Sequence, residues 1–119
     1  MAHNPYATPP LAAPGPLPDV VAAHLEQIRA LCRAYSVVRL EVFGSALTPR
    51  FDPATSDIDF LVEYPPGHDL GPWMKLHFAF REQLAALIGR PVDLLVLDAI
   101  RKPRFIEAIR GRRRLLYAA

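Results

Sequence analysis

The sequence predicts a small α/β domain, of the α+β kind, in which helices pack on one face of a small mixed β-sheet. Three observations predict it. Apolar residues recur at spacings of three and four in two stretches, the mark of amphipathic helices. Short runs rich in Val, Leu and Ile lie between turn residues and read as strands. The elements follow one another as α-β-β-α-β-α, an order that layers helices on a sheet.

Residues 1–18, MAHNPYATPPLAAPGPLP, hold six prolines, which forbid a regular helix or a central strand. They read as a disordered, Pro-rich tail. Asp19 offers an N-cap, and Val21, Leu25, Ile28, Cys32 and Tyr35 mark one face of a helix over about residues 20–35. VVRLEVF is the first strand, with Val38, Leu40 and Val42 alternating against Arg39 and Glu41, and Gly44 ends it. TPRFDPATS is turn-rich, with Pro49 and Pro53 as breakers, and DIDFLVEY is the second strand. A loop holding Pro65, Pro66, Gly67, Gly71 and Pro72 leads to a second helix over residues 73–88. Its stripe is Trp73, Leu76, Phe80, Leu84, Leu87 and Ile88, and Gly89 is placed to cap its C-terminal end. PVDLLVL is the third strand. Pro103 opens a last helix that ends near Gly111, and RRLLYA returns as a short final strand.

A chain of 119 residues fits one domain and can bury a real core. The single cysteine, Cys32, excludes an internal disulfide framework, suits a reducing cytoplasm and reads as a small core residue. No apolar run is long enough to span a bilayer, and the first residues lack the basic and apolar regions of a signal peptide, so a cytoplasmic protein without a membrane partner is expected. Net charge is only +2 but uneven: residues 101–119 carry seven of the fourteen Lys and Arg and one acid, Glu107. Such a patch meets phosphate, an acidic partner or RNA; the plainer reading is that it solvates a terminal helix.

The chemistry lies between Val42 and Tyr64. Residues two apart on a strand point the same way, so Asp57 and Asp59 share a face while Ile58, Phe60 and Val62 turn to the helices. Charged side chains are rarely buried without a partner, so the acid face is expected to be open. PVDLLVL repeats the arrangement with Asp93. If the second and third strands pair, Asp93 completes a cluster of three carboxylates, hard oxygen ligands that suit Mg²⁺. Gly44 and Ser45 supply the other half. A strand ending in Gly-Ser presents N–H groups and a hydroxyl to an anion, and glycine lets the backbone approach closely.

FGS, then eleven residues, then DID, then VDLL resembles the nucleotidyltransferase superfamily that includes DNA polymerase beta, and above all its minimal nucleotidyltransferase (MNT) branch. The likeness spans roughly residues 20–117 and implies a nucleotidyltransferase-like core, with a minimal nucleotidyltransferase domain over residues 19–119. It implies that Gly44 and Ser45 hold the phosphates of ATP, that Asp57 and Asp59 bind two Mg²⁺ ions, and that Asp93 joins one metal and helps activate the attacking hydroxyl. Two departures stand out: the gap between Gly-Ser and Asp-x-Asp is one residue longer than the common spacing, and Ala46 stands where many members have Arg. Arg50 is the candidate to replace that contact.

MNT proteins resemble antitoxins paired with a HEPN ribonuclease toxin, to a tyrosine of which they transfer AMP from ATP. The resemblance therefore implies a protein adenylyltransferase, an antitoxin acting by AMPylation in a hetero-oligomer with a HEPN-type toxin. Two alternatives belong to other classes: a non-catalytic module that blocks its partner sterically, and a nucleotidyltransferase acting on RNA or a small molecule, RNA being the less favoured acceptor. His24, His68 and His77 have no mutual spacing that makes a metal site and read as surface or core residues. Trp73 and Phe80 read as core, and Tyr64 as a residue of the cleft rim.

Overall fold

The structure is a computed structural model describing residues 17–48, 51–52, 54–97, 103–109 and 112–119. Much of the Pro-rich stretch, with Pro49, Arg50, Pro53 and Gly111, lies outside the described residues. Helix α1 spans Asp19–Ala22 and α2 Leu25–Ala34; β1 is Arg39–Phe43, β2 Ile58–Glu63, α3 Lys75–Ile88, β3 Val92–Val96, α4 Pro103–Ile109 and β4 Arg113–Ala118. The strands form one sheet in the order β3-β2-β1-β4. β1 runs antiparallel to both neighbours, and β2 and β3 are parallel, so the sheet is mixed as expected. The parallel pair needs a long crossover, which α3 provides.

The first predicted helix is two. His24 breaks it: its Nδ1–H donates to the Val20 carbonyl at 2.9 Å, and its backbone leaves the helical region at φ −118° and ψ 18°. A side chain bonded to the backbone competes with the helix ladder. The apolar stripe survives the break, and Val21, Ile28 and Cys32 are buried. Burial pushes the Cys32 thiol up to about 12, so it stays a protonated core residue.

The second helix begins at Lys75, two residues later than its stripe predicts. Trp73 is 94% exposed and does not join the core. It and Met74 both adopt left-handed backbone at φ 56°, which turns the chain before the helix and points Trp73 outward. Leu76 is exposed too. The face that packs is His77, Phe80, Leu84 and Ile88, and Gly89 ends the helix in the left-handed conformation at φ 69°. Phe80 meets the Tyr35 ring with centroids 5.2 Å apart, which joins α3 to the end of α2.

The main core lies between these helices and the sheet face made by Leu40, Val42, Ile58, Phe60, Val62 and Leu94. A smaller cluster of Phe43, Leu61 and Leu97, capped by Phe105 of α4, occupies the opposite face. Beside it Glu41 is wholly buried. Arg113 of β4 grips it with two bonds, 2.6 Å to Oε2 and 3.1 Å to Oε1, and Arg39 adds a third at 3.2 Å. The expectation of an open acid face therefore holds only at one end of the sheet. Toward β4 a buried ion pair and an aromatic lid close it. Arg113, at 6% exposure, is thereby withdrawn from the basic surface patch; Arg112 stays exposed. Among the described residues no helix is long and apolar enough to cross a membrane.

Candidate active site

The open end of that face carries the acids. The parallel register sets Asp59 of β2 opposite Asp93 of β3, and the antiparallel register sets Asp59 opposite Phe43 of β1. Asp57 stands one residue before β2. Asp57 and Asp93 are exposed and Asp59 is half-buried.

Asp59 feels this placement most. Its carboxyl is raised to about 6, first by burial, then by the charge of Asp93, a hydrogen bond shared with Asp93 and the charge of Asp57. Asp59 and Asp93 thus meet as a pair, with Asp57 close enough to act on it. Among the described residues no group of three His, Cys, Asp or Glu side chains is arranged to hold a metal ion by itself.

Gly44 follows Phe43 directly and starts a short 3-10 turn, Gly44–Leu47. Its φ is +74°, and a Cβ built on it would lie 3.3 Å from Oδ2 of Asp59. Its N–H donates to the Arg112 carbonyl at 3.0 Å and so belongs to the sheet. Ser45 is exposed beside it, while Ala46 and Leu47 turn inward and anchor the turn in the core. The Ser45 carbonyl accepts from both the N–H and the hydroxyl of Thr48, at 3.0 and 2.9 Å.

The structure therefore brings Gly44, Ser45, Asp59 and Asp93 to one end of the sheet, with Asp57 at its border. A sequence profile of the nucleotidyltransferase domain family matches residues 25–116, which covers all five. The chain belongs to the nucleotidyltransferase family. A solved minimal nucleotidyltransferase is 27% identical, covers 80% of this chain and 91% of its own, and superposes with a TM-score of 0.62. The complex of tri-AMPylated Shewanella oneidensis HEPN toxin with MNT antitoxin is similar at 19% identity over 82% of this chain and 72% of that one, TM-score 0.57. A toxin–antitoxin complex with AMP-PNP is 19% identical over 80% and 73%, TM-score 0.59. At that identity these two likenesses speak for the nucleotidyltransferase fold. No curated protein matches the sequence.

Other candidates fall elsewhere. Tyr64 is buried, not on a rim: its hydroxyl donates to Nδ1 of His77 at 2.9 Å, and the Nε2–H of His77 donates to the Leu94 carbonyl at 3.1 Å. His77 is a satisfied core histidine whose pKa burial lowers. His68 lies nearly parallel to Tyr64, with ring centroids 5.9 Å apart. This cluster sits at the C-terminal end of β2, the end away from Asp57. Arg50 lies outside the described residues.

Two contacts near the site escape a reading by motif. Glu41 and Arg113 meet only through the β1–β4 pairing, and the alternation along β1 sets Glu41 on the strand's polar side without naming a partner for it. Arg90 reaches across to the Ser56 carbonyl, and a lone arginine before a strand carries no local signal.

Proposed function

We propose that the chain is a Mg²⁺-dependent nucleotidyltransferase that moves AMP from ATP to a tyrosine of a partner HEPN ribonuclease toxin, and so acts as an antitoxin. The observation that carries this reading is the wedge of Gly44 against Asp59 with Asp93 alongside. It joins a candidate phosphate seat and an acid pair with no side chain between them.

The acids fit the metal. Mg²⁺ is typically held by one or two carboxylates together with substrate phosphates rather than by an all-protein cage. Asp59 and Asp93 offer such a pair, and the Asp59 carboxyl, raised first by burial and then by its acidic neighbours, is one that a bound cation would favour in its charged form. Asp57, Asp59 and Asp93 would hold two ions. When bound, Mg²⁺ neutralises the triphosphate and stabilises the attacking and leaving oxygens of an in-line displacement.

The chain's own residues do the rest. Gly44 leaves room for the phosphates, and because its N–H is committed to Arg112, phosphate contact falls to Ser45. Asp93 is exposed and takes the proton of the attacking tyrosine hydroxyl. The tyrosine oxygen bonds to the α-phosphorus, the bond to the β-phosphate bridge breaks, and pyrophosphate leaves. A tyrosine carrying AMP then presents a bulky anion where RNA phosphate would bind.

The experiment is to incubate the protein with ATP, Mg²⁺ and its co-encoded neighbour and to weigh the neighbour. A gain of one or more AMP units is expected. An unmodified neighbour in a stable complex would replace transfer by steric blocking.

A further inference from the structure

The geometry points to Arg90 as a positioning residue that, through the turn it shares with Pro91, fixes Asp57 relative to Asp93 for metal binding. The inference rests on the nucleotidyltransferase reading of the site and adds a residue outside the FGS, DID and VDLL stretches.

The turn is built from its first residue. Gly89 closes α3 with a left-handed φ of +69°, and its N–H donates to the Ala85 carbonyl at 2.9 Å. This swings Arg90 off the helix toward the segment that precedes β2. There an Nη2–H of Arg90 donates to the Ser56 carbonyl at 2.5 Å. The next residue, Pro91, accepts at 3.1 Å from the N–H of Ile58. Ser56 and Ile58 are the two chain neighbours of Asp57. The peptide groups on both sides of this aspartate are thus tied to two consecutive residues of one turn, and Asp93 lies two residues further along the same backbone.

Asp57 needs such a tie more than Asp59 does. Asp59 sits inside β2 with strand partners on both sides, whereas Asp57 stands before the strand and has no register of its own. The segment leading to it is also prepared. The carboxylate of Asp52 accepts from the Ala54 N–H and the Thr55 hydroxyl at 2.8 and 2.9 Å, and the Asp52 N–H donates to the Ser56 hydroxyl at 2.9 Å. The Arg90 charge helps to hold the Asp52 carboxyl below the usual carboxylate range, after those hydrogen bonds.

Arg90 is itself half-buried. Its Nε is buried with no hydrogen-bond partner among the described residues. A guanidinium retained with an unsatisfied donor calls for an explanation beyond packing. Outer groups that orient ligating carboxylates supply one, since their loss typically lowers metal affinity or activity about 10–100-fold.

The test measures Mn²⁺ affinity by electron paramagnetic resonance in the presence of a non-hydrolysable ATP analogue, for wild type, Arg90→Gln and Arg90→Lys. Arg90→Gln is expected to weaken Mn²⁺ binding by about 10–100-fold, and Arg90→Lys, which keeps one donor and the charge, to recover part of it. A merely structural arginine would lower the melting temperature of the metal-free protein and leave the metal affinity of the folded fraction unchanged. Affinity of Arg90→Gln within about twofold of wild type overturns the inference. Amide exchange in the wild type gives a reading that does not depend on a variant folding. Ile58 is expected to be protected like the interior of β2, and exchange at the rate of an open turn overturns the tie. Failure of the wild type itself to take up Mn²⁺ with the analogue sinks the proposed function first, and this inference with it.

Discussion

Gly44 faces the Asp59 carboxylate at the distance of one missing atom: a Cβ at position 44 would lie 3.3 Å from Asp59 Oδ2, on a backbone held at φ +74°. Strand β1 ends where the acid pair begins, and a side chain at position 44 would require the Asp59 carboxylate to give way by a few tenths of an ångström.

Gly44→Ala therefore meets two penalties. Left-handed backbone costs an L-residue about 1–2 kcal/mol, and the methyl also crowds the Asp59 carboxylate. Gly67→Ala is the matched control, since φ is +70° there and a Cβ meets nothing within 4 Å. Melting curves should show both variants destabilised. AMP transfer should collapse in Gly44→Ala alone. Wild-type transfer by Gly44→Ala would remove the glycine from the site.

Asp59 gives a pH signature. Its folded carboxyl titrates near 6, above the roughly 3.9 of an unfolded aspartate. A group raised on folding favours the native state fully below its unfolded value, and that contribution is lost as pH rises through about 6. The metal-free wild type should therefore lose stability relative to Asp59→Asn between about pH 4 and 6. Above that window the variant should be at least as stable. It should also lose the melting shift produced by Mg²⁺ with ATP, since a ligand stabilises only the state that binds it. An Asp59→Asn protein that is strongly destabilised at neutral pH without metal would make Asp59 a structural acceptor instead.

Arg113 and Arg112 should part company although they are neighbours in sequence. Arg113→Ala takes from the buried Glu41 two of its three bonds to arginine among the described residues and should cost about 3–5 kcal/mol. Arg112→Ala touches an exposed side chain and should change stability by about 0.5 kcal/mol or less. Urea unfolding of the two variants checks the contrast, and equal midpoints would contradict the buried pair.

Trp73 and Phe80 should differ in the same way. Trp73→Ser should leave stability within about 0.5 kcal/mol, because the ring is exposed. Phe80→Ala empties a fully buried position and should cost about 3–5 kcal/mol. A large loss in Trp73→Ser would mean that the ring is covered in solution.

The first three strands were legible because apolar residues recur in them at a two-residue spacing, and the candidate site because Asp57, Asp59 and Asp93 fall on the other half of that period. Gly89 was legible as a cap because glycine at a helix end has a local cause. What escaped the sequence depends on pairing across distance. Nothing near Glu41 says that a strand seventy-two residues away will deliver Arg113 to it. Nothing near Trp73 says that two left-handed residues will start the helix late. The break at His24 had a local cause, a ring that bonds the preceding turn, but histidine carries too many other uses for the spacing alone to single it out.

Alternation along β2 also sets how this gene can change length. Asp59 and Leu61 face one side, Phe60 and Val62 the other. One residue inserted between Asp59 and Phe60 would keep both acids in place and turn every apolar residue beyond them to the wrong side of the sheet. The same insertion between Ser45 and Asp57 would leave the alternation untouched, and loop length carries only a shallow entropic cost. Drift in length should accumulate before Asp57 and stop there, so that across descendants of this gene the distance from Gly-Ser to the acids varies while the two residues from Asp57 to Asp59 stay fixed.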